Sequence, residues 1–352
     1  MGKQKDLIIV IGAGQAGLAM GYYLRELNQP FLIVDAYRRV GDAWRQRYDS
    51  LTLFTPRKYS ELPGMKMAGD PDGYPHKDEV ADYLEAYATK FRLPIQLSTQ
   101  IVQATLREGG FSLKTSRGDT YFAHTLIVAT GPFSQPFIPK LLGRLSEKVV
   151  QLHTAEYRNP QQLQKGTVMV IGAGNSGVQI ATELAETNRP VYLSVGKPIH
   201  MLPHRIGGKS LFWWMDILGV SKVTVNSPLG KVLRRNDPII GREAVPYIKK
   251  KKILLTSRAI RLDGEEVFTA DGKGYRVKNV IWATGYQSDY TWLQIPGVID
   301  LHGNPIHERG VTPIPGLYFL GLSWQYTRNS GLIRGVGTDA HYIKQVIQEN
   351  RS

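Results

Sequence analysis

The 352-residue chain contains no cysteine. That absence removes structural disulfides, iron–sulfur ligation, thiolate zinc sites and any CxxC electron relay together, and no metal site is expected. A redox enzyme built on this sequence must pass its electrons to something other than a disulfide of its own. Long apolar runs are missing as well, and none reaches the length of a membrane span. The basic start followed by Leu7 to Ile11 mimics a signal peptide, but the apolar run is only a strand long and is cut by glycines. The chain reads as soluble and cytoplasmic, with no membrane partner. Acid is scarce relative to base: 44 Lys and Arg against 30 Asp and Glu leave a formal charge of +14. Such a surplus suits anionic ligands or nucleic acid. The basic residues are scattered, however, and only Lys249 to Lys252 form a tight run, just before apolar Ile253 to Leu255. That run reads as a solvated turn or strand edge, not a nucleic-acid patch. Phosphate-bearing cofactors would use part of the surplus. Hydrophobic residues at 42% and charged residues at 21% describe an ordinary globular protein, and the length suits about two domains.

What the chain does have is glycine in informative places. The apolar run Leu7 to Ile11 is followed at once by Gly12-Ala13-Gly14-Gln15-Ala16-Gly17. A helix-forming stretch then leads to a second apolar run, Phe31 to Val34, ending on Asp35. This strand, glycine turn, helix, strand and acid form a dinucleotide-binding βαβ fingerprint. Gly12 permits the sharp turn, Gly14 lets the backbone approach a pyrophosphate, and Gly17 lets helix and strand pack closely. The free N–H groups and dipole at the helix start favour the anion, and Asp35 would accept hydrogen bonds from ribose hydroxyls.

The pattern recurs. Thr167 to Ile171 is an apolar strand, Gly172-Ala173-Gly174-Asn175-Ser176-Gly177 a second fingerprint, and Val178 to Glu186 a helix. Each fingerprint also has a downstream apolar strand ending in Ala-Thr-Gly: Ala129-Thr130-Gly131 and Ala283-Thr284-Gly285. An internal repeat of this kind is much harder to reach by chance than one motif. The sequence therefore predicts an α/β chain of two Rossmann-like nucleotide-binding domains, one inserted in the other. The outer domain spans 1–158 and 287–352, and the inner one 159–286. Gly316 to Gly321 is expected as a strand that returns to the first domain, followed by a terminal helix over 339–348. Lys77 to Phe91 has helical spacing, Leu93 to Phe122 suggests a β-meander turning at Arg117-Gly118-Asp119, and Ala36 to Gly64 reads as a long functional loop.

The second fingerprint lacks the acid of the first. Its second strand ends Ser194-Val195-Gly196-Lys197. A carboxylate there would repel a 2′-phosphate, whereas Ser194 and Lys197 could bind one. NADPH is favoured at this site, with NADH as the alternative.

With these motifs the chain resembles the two-dinucleotide-binding flavoproteins, and most closely the short bacterial members of the flavin-containing and Baeyer–Villiger monooxygenase branch. The Trp44 loop, His153 and Tyr157 before the second fingerprint, and the Ala283 to Tyr286 run carry that likeness. The resemblance implies FAD at Gly12, Gly14, Gln15, Ala16, Gly17, Asp35, Trp44, Thr130 and Gly131, with Gly321 and Gln325 from the C-terminal part, and Tyr326 and Ser330 as further pocket candidates. It implies NAD(P)H at Gly172, Gly174, Asn175, Ser176, Gly177, Ser194, Lys197, Ala283, Thr284 and Gly285. The implied reaction is hydride transfer to flavin, then oxygen activation as a flavin C4a-(hydro)peroxide that oxygenates a sulfide or amine, or attacks a ketone. Molecular oxygen and a small lipophilic substrate are the implied partners, and a homo-oligomer is compatible with the sequence. The chain departs from the branch at Glu147 and Val149, where the pattern has Phe and Gly. An asparagine near the flavin in animal-type members has no counterpart, which leaves Thr55 as the candidate catalytic hydroxyl. His153, as a linker residue, is assigned to holding the chain path. A peroxide that collapses would instead make the protein an NAD(P)H oxidase, and a reductase of quinones or other small acceptors fits the same fold.

Overall fold

The computed structural model describes residues 7–235 and 238–350; the basic start of the chain lies outside them. Ile8–Ile11 is buried along its whole length, as a strand covered on both faces must be. It has parallel neighbours on either side, Phe31–Val34 and Thr125–Val128, in the register Ile8 to Phe31 and Ile8 to Thr125. Leu317–Phe319 and Ile95–Gln96 complete a five-stranded parallel sheet, one beside Thr125–Val128 and the other beside Phe31–Val34. The C-terminal strand thus returns to the first domain.

The second sheet repeats the first strand for strand. Val168–Ile171 lies between Val191–Ser194 and Asn279–Trp282, with Val150–His153 and Ile253–Thr256 at the edges. In both sheets the strand that ends in Ala-Thr-Gly sits directly beside the strand that ends in the glycine turn. The Lys249 to Lys252 run closes the helix Ala244–Lys249 and turns into the edge strand Ile253–Thr256. Cationic side chains at that edge discourage pairing with another chain.

The domain change expected at 158 lies further upstream. Leu142–Leu145 already pairs with Ala259–Gly264, and Val150–His153 is an edge strand of the second sheet. Both strands are short and partly exposed, so they carry no continuous apolar run that sequence reading could recognise. The chain crosses between domains over 132–141. It returns at Tyr286–Gln287, which pairs antiparallel with Gln135–Pro136.

The meander comprises Ile101–Arg107, Gly110–Thr115 and Thr120–Ala123, with Gly118 at φ 94° in the turn. The terminal helix is longer than expected, Ile333–Glu349, and takes in Gly335 and Gly337. Their missing side chains allow close contact: a Cβ on Gly335 would lie 1.8 Å from the Asn329 carbonyl oxygen, and one on Gly337 would lie 2.7 Å from Pro63 Cγ. Among the described residues no helix is long and apolar enough to cross a membrane.

Candidate active site

The two glycine turns are built alike. Gly12 and Gly172 adopt φ of 109° and 105°, which L side chains rarely reach. A Cβ on Gly12 would lie 2.5 Å from the Ala129 carbonyl oxygen, and one on Gly172 would lie 2.3 Å from that of Ala283. Each Ala-Thr-Gly therefore backs the turn beside it. Gly17 and Gly177 face the other way, and a Cβ there would lie 1.8 and 2.0 Å from the carbonyl oxygens of Gly12 and Gly172. Gly14 and Gly174 differ from both. They have ordinary extended angles (φ −77° in each), and a Cβ on either would meet no atom within 4 Å. The space left open has room for a pyrophosphate against the backbone. The helices that start here, Gln15–Leu24 and Asn175–Glu186, have no side-chain cap and no acid in the first turn. Their N–H groups stay available to an anion. The residues thus fit a dinucleotide at each turn.

Asp35 closes the first site. One carboxylate oxygen accepts from the Ala13 N–H at 2.5 Å and the other from the Tyr37 N–H at 2.7 Å. Each oxygen keeps a lone pair for a ribose hydroxyl. Burial pushes the Asp35 carboxyl up, against the pull of those two N–H groups.

One cleft runs from the first turn to the start of the second glycine helix. Gly12, Gly14, Gln15, Ala16, Asp35, Trp44, Thr130, Gly131 and Gly321 line it from the first domain, and Asn175 and Ser176 from the second. The long loop after Asp35 crosses to the second domain. Tyr48 Oη donates to Gln179 Oε1 at 2.8 Å, and Gln179 Nε2 donates to the Thr52 carbonyl at 3.0 Å. Arg47 donates to Tyr286 Oη at 2.6 Å and stacks over the rings of Phe133 and Tyr286, each at 5.0 Å. A second seam joins the domains where Phe54 and Tyr59 meet Phe212. Sequence reading missed Arg47, Tyr48 and Gln179 as individual residues. The density of Arg, Tyr and Trp in the 36–64 loop was the only signal for Arg47 and Tyr48, and Gln179, inside the second glycine helix, had none.

Four of the expected ligands are committed elsewhere. Thr55 is 5% exposed and its hydroxyl lies 2.7 Å from Ser60 Oγ. The Ser60 hydroxyl also has the Thr55 and Pro56 carbonyls within reach, so the Thr55 hydroxyl is engaged within its own turn. Gln325 is 2% exposed and spends its amide within the chain, donating to the Phe319 carbonyl and accepting from the Leu322 N–H. Ser194 donates to the Ser257 carbonyl and accepts from the Ala259 N–H, which ties two strand ends together. It has no hydroxyl proton left for a 2′-phosphate. The Thr284 hydroxyl donates to the Phe137 carbonyl and fastens the crossing ribbon. Of the other pocket candidates, the Ser330 hydroxyl accepts from the Tyr326 and Thr327 N–H groups. Lys197 is exposed just beyond the end of Val191–Ser194.

His153 holds the chain path. Its Nδ1 accepts from the Ala155 N–H at 3.1 Å, which leaves Nε2 protonated to donate to the Gly285 carbonyl at 2.9 Å. Burial pushes its pKa down, so the ring is neutral at pH 7. Tyr157, fully buried, donates to Glu183 Oε2 at 2.8 Å on the second glycine helix.

Two glycine turns of the same build, with one cleft running from the first of them to the second glycine helix, fit a protein with two nucleotide sites. Comparison with known proteins agrees. Residues 9–201 match the family described as pyridine nucleotide-disulphide oxidoreductase, and the chain belongs to that family. It is 54% identical to "Uncharacterized oxidoreductase CzcO-like" of Geobacillus kaustophilus, over 96% of each chain. It is 28% identical to "Probable indole-3-pyruvate monooxygenase YUCCA8" of Arabidopsis thaliana, over 96% of this chain and 88% of that one. Among solved structures it superposes on a flavin-containing monooxygenase from Stenotrophomonas maltophilia with a TM-score of 0.82, at 25% identity and over 99% and 100% of the two chains. The protein is a flavoprotein oxidoreductase, with FAD and a nicotinamide dinucleotide as its cofactors.

Proposed function

We propose that the protein is an NADPH-driven, FAD-dependent monooxygenase of small soft nucleophiles, sulfides and amines, with ketones as a further class. The observation that carries this reading is the single cleft that runs from the first glycine turn to the start of the second glycine helix. A cleft shared by two nucleotides brings their reacting rings together, and the likeness to the flavin-containing monooxygenase supports the choice of chemistry. FAD, when bound, accepts the hydride and activates oxygen. The chain positions, shields and orients. Gly14 and the first helix hold one pyrophosphate and Asp35 its ribose, while Gly174 and the second helix hold the other pyrophosphate. Arg47, clamped between Phe133 and Tyr286, covers the crossing ribbon and limits water entry at the cleft. His153 moves no proton, because both ring nitrogens are engaged.

The test is the amount of substrate oxygenated per NADPH consumed, across a panel of sulfides, amines and ketones. A ratio approaching one for at least one class is expected. A ratio near zero for all of them would sink the reading. That second outcome would describe an NADPH oxidase; the Thr55 hydroxyl, engaged with Ser60, has no part in the proposed chemistry, so Thr55→Val is expected to leave the ratio unchanged.

NADPH is assigned to the second turn on charge. With Ser194 occupied, the cations are Lys197 and Arg258. The Arg258 guanidinium lies over Gly196, so close that a Cβ there would be 3.0 Å from an Nη atom. A charge-assisted bond of this kind contributes about 1.5–3 kcal/mol. Arg258→Ala is therefore expected to raise the KM for NADPH by roughly 10- to 100-fold while that for NADH stays within about twofold. Equal losses with both dinucleotides would remove Arg258 from this role.

A further inference from the structure

Behind the cofactor cleft lies a second cavity of about 1070 Å³. The two meet at Pro132 and Tyr286, which line both. Trp324 and Arg309 on its wall have φ of 57° and 49°, left-handed backbone that a Trp or Arg adopts only when its surroundings impose it. The buried Gln325 amide ties this wall together. It donates to the carbonyls of Phe319 at 3.1 Å and Arg309 at 3.4 Å, and accepts from the Leu322 N–H at 3.2 Å. That side chain thus fixes the Arg309 carbonyl and follows Trp324 directly in the chain.

Arg309 is presented in an unusual way. Its guanidinium is sandwiched between the rings of Tyr326 at 4.1 Å and Tyr342 at 4.0 Å. Its Nε makes an ion pair with the buried Asp339 at 3.8 Å, on the side away from the two Nη groups. With both faces covered, what remains for a ligand is the planar edge of the two Nη groups, which matches the two oxygens of a carboxylate. Arg234 adds a second cation to the wall. Of the acids there, Asp300 is consumed by its own turn, accepting from the N–H groups of His302 and Asn304, and Glu308 is exposed. The cavity therefore offers a rigid aromatic surface beside a forked cation.

We propose that this cavity is the substrate chamber and that it takes an aromatic carboxylate, its acid on Arg309 and its ring against Trp324. The inference rests on the monooxygenase reading and narrows its substrate class from lipophilic nucleophiles to amphiphilic acids. A carboxylate held at Arg309 leaves the other end of the molecule free to reach toward Tyr286 and the cofactor cleft.

The test is calorimetric titration of the FAD-loaded protein, without NADPH, with 3-phenylpropionate, 3-phenylpropanamide and phenyl phosphate. The carboxylate is expected to bind at least 10-fold more tightly than the amide, and more tightly than the phosphate. Arg309→Gln should bring the carboxylate to the level of the amide without changing the amide. Trp324→Ala should weaken both together. Equal binding of carboxylate and amide by the parent protein would overturn the proposal, as would tighter binding of the phosphate. If Arg309→Gln does not fold, Arg234→Gln serves: a several-fold loss confined to the anions is expected, and an unchanged ratio of carboxylate to amide counts against the chamber. Tight carboxylate binding combined with no oxygenation of any acid would instead refute the monooxygenase reading and leave the binding site standing.

Discussion

Replacing Gly14 by valine is expected to give a folded protein that no longer retains FAD. The reason lies in where the glycine is needed. At φ −77° and ψ −171°, Gly14 has a backbone that any residue adopts, and its Cβ would meet no protein atom within 4 Å. The fold does not require glycine here, apart from about 1 kcal/mol of helix-cap preference. A pyrophosphate does, because its oxygens must come within hydrogen-bond distance of the backbone. Two backbone bonds to an anion, at about 1.5–3 kcal/mol each, correspond to a loss of at least 100-fold in affinity. Gly174→Val makes the complementary case, since Gly174 has the same φ and the same open space. That variant should stay yellow and be reduced normally by dithionite, while NADPH bleaches it on the order of 100-fold more slowly. Flavin content and anaerobic reduction rate measure both. A colourless Gly174→Val protein, or a Gly14→Val protein with full flavin, would reverse the assignment of the two turns.

Gly17→Ala should do the opposite damage and attack the fold itself. In an ordinary helix interior this change stabilises by about 1 kcal/mol. Here the new methyl would lie 1.8 Å from the carbonyl oxygen of Gly12, a residue whose N–H donates to the Val34 carbonyl at 2.8 Å and whose neighbour Ile11 accepts from the Ala129 N–H at 2.8 Å. Neither helix nor strand yields without breaking the turn. A cost of about 3 kcal/mol or more is expected, enough to lower Tm by roughly 6–12 °C in a protein of this size. Gly177→Ala should behave alike in the second domain, where the distance is 2.0 Å. Thermal denaturation of the apoprotein checks both. A rise in Tm for either would show that the helix can move away from its strand.

These two cases also explain which features were legible in the sequence. The glycines act through the backbone, and their spacing is set by one turn and one helix, so three letters in a short stretch state the geometry. The strand returning at Leu317–Phe319 was legible for a similar reason, as an apolar run with turn glycines on both sides. What failed was the assignment of hydroxyl and amide side chains. Ser194 stands at the right position for a 2′-phosphate, but its partners are Ser257 and Ala259, 63 and 65 residues away. Thr55 and Gln325 are claimed by partners only five and six residues away, Ser60 and Phe319, through local turns whose geometry composition does not state. Arg258 went unnoticed because no spacing rule links it to Gly196. The first domain crossing was misplaced because Leu142–Leu145 and Val150–His153 are defined by their partners, Ala259–Gly264 and Asn279–Trp282, and not by their own composition.

The central claim, that the cleft turns NADPH and oxygen into an oxygenated product, is tested most directly with ¹⁸O₂. The protein, NADPH and an aromatic sulfide carrying a carboxylate are incubated under labelled oxygen, and the product is weighed by mass spectrometry. One ¹⁸O atom per molecule of product, with one product formed for each NADPH consumed, is the result this account predicts. NADPH consumption matched by labelled hydrogen peroxide, with no label in any organic product across sulfides, amines and ketones, would contradict it.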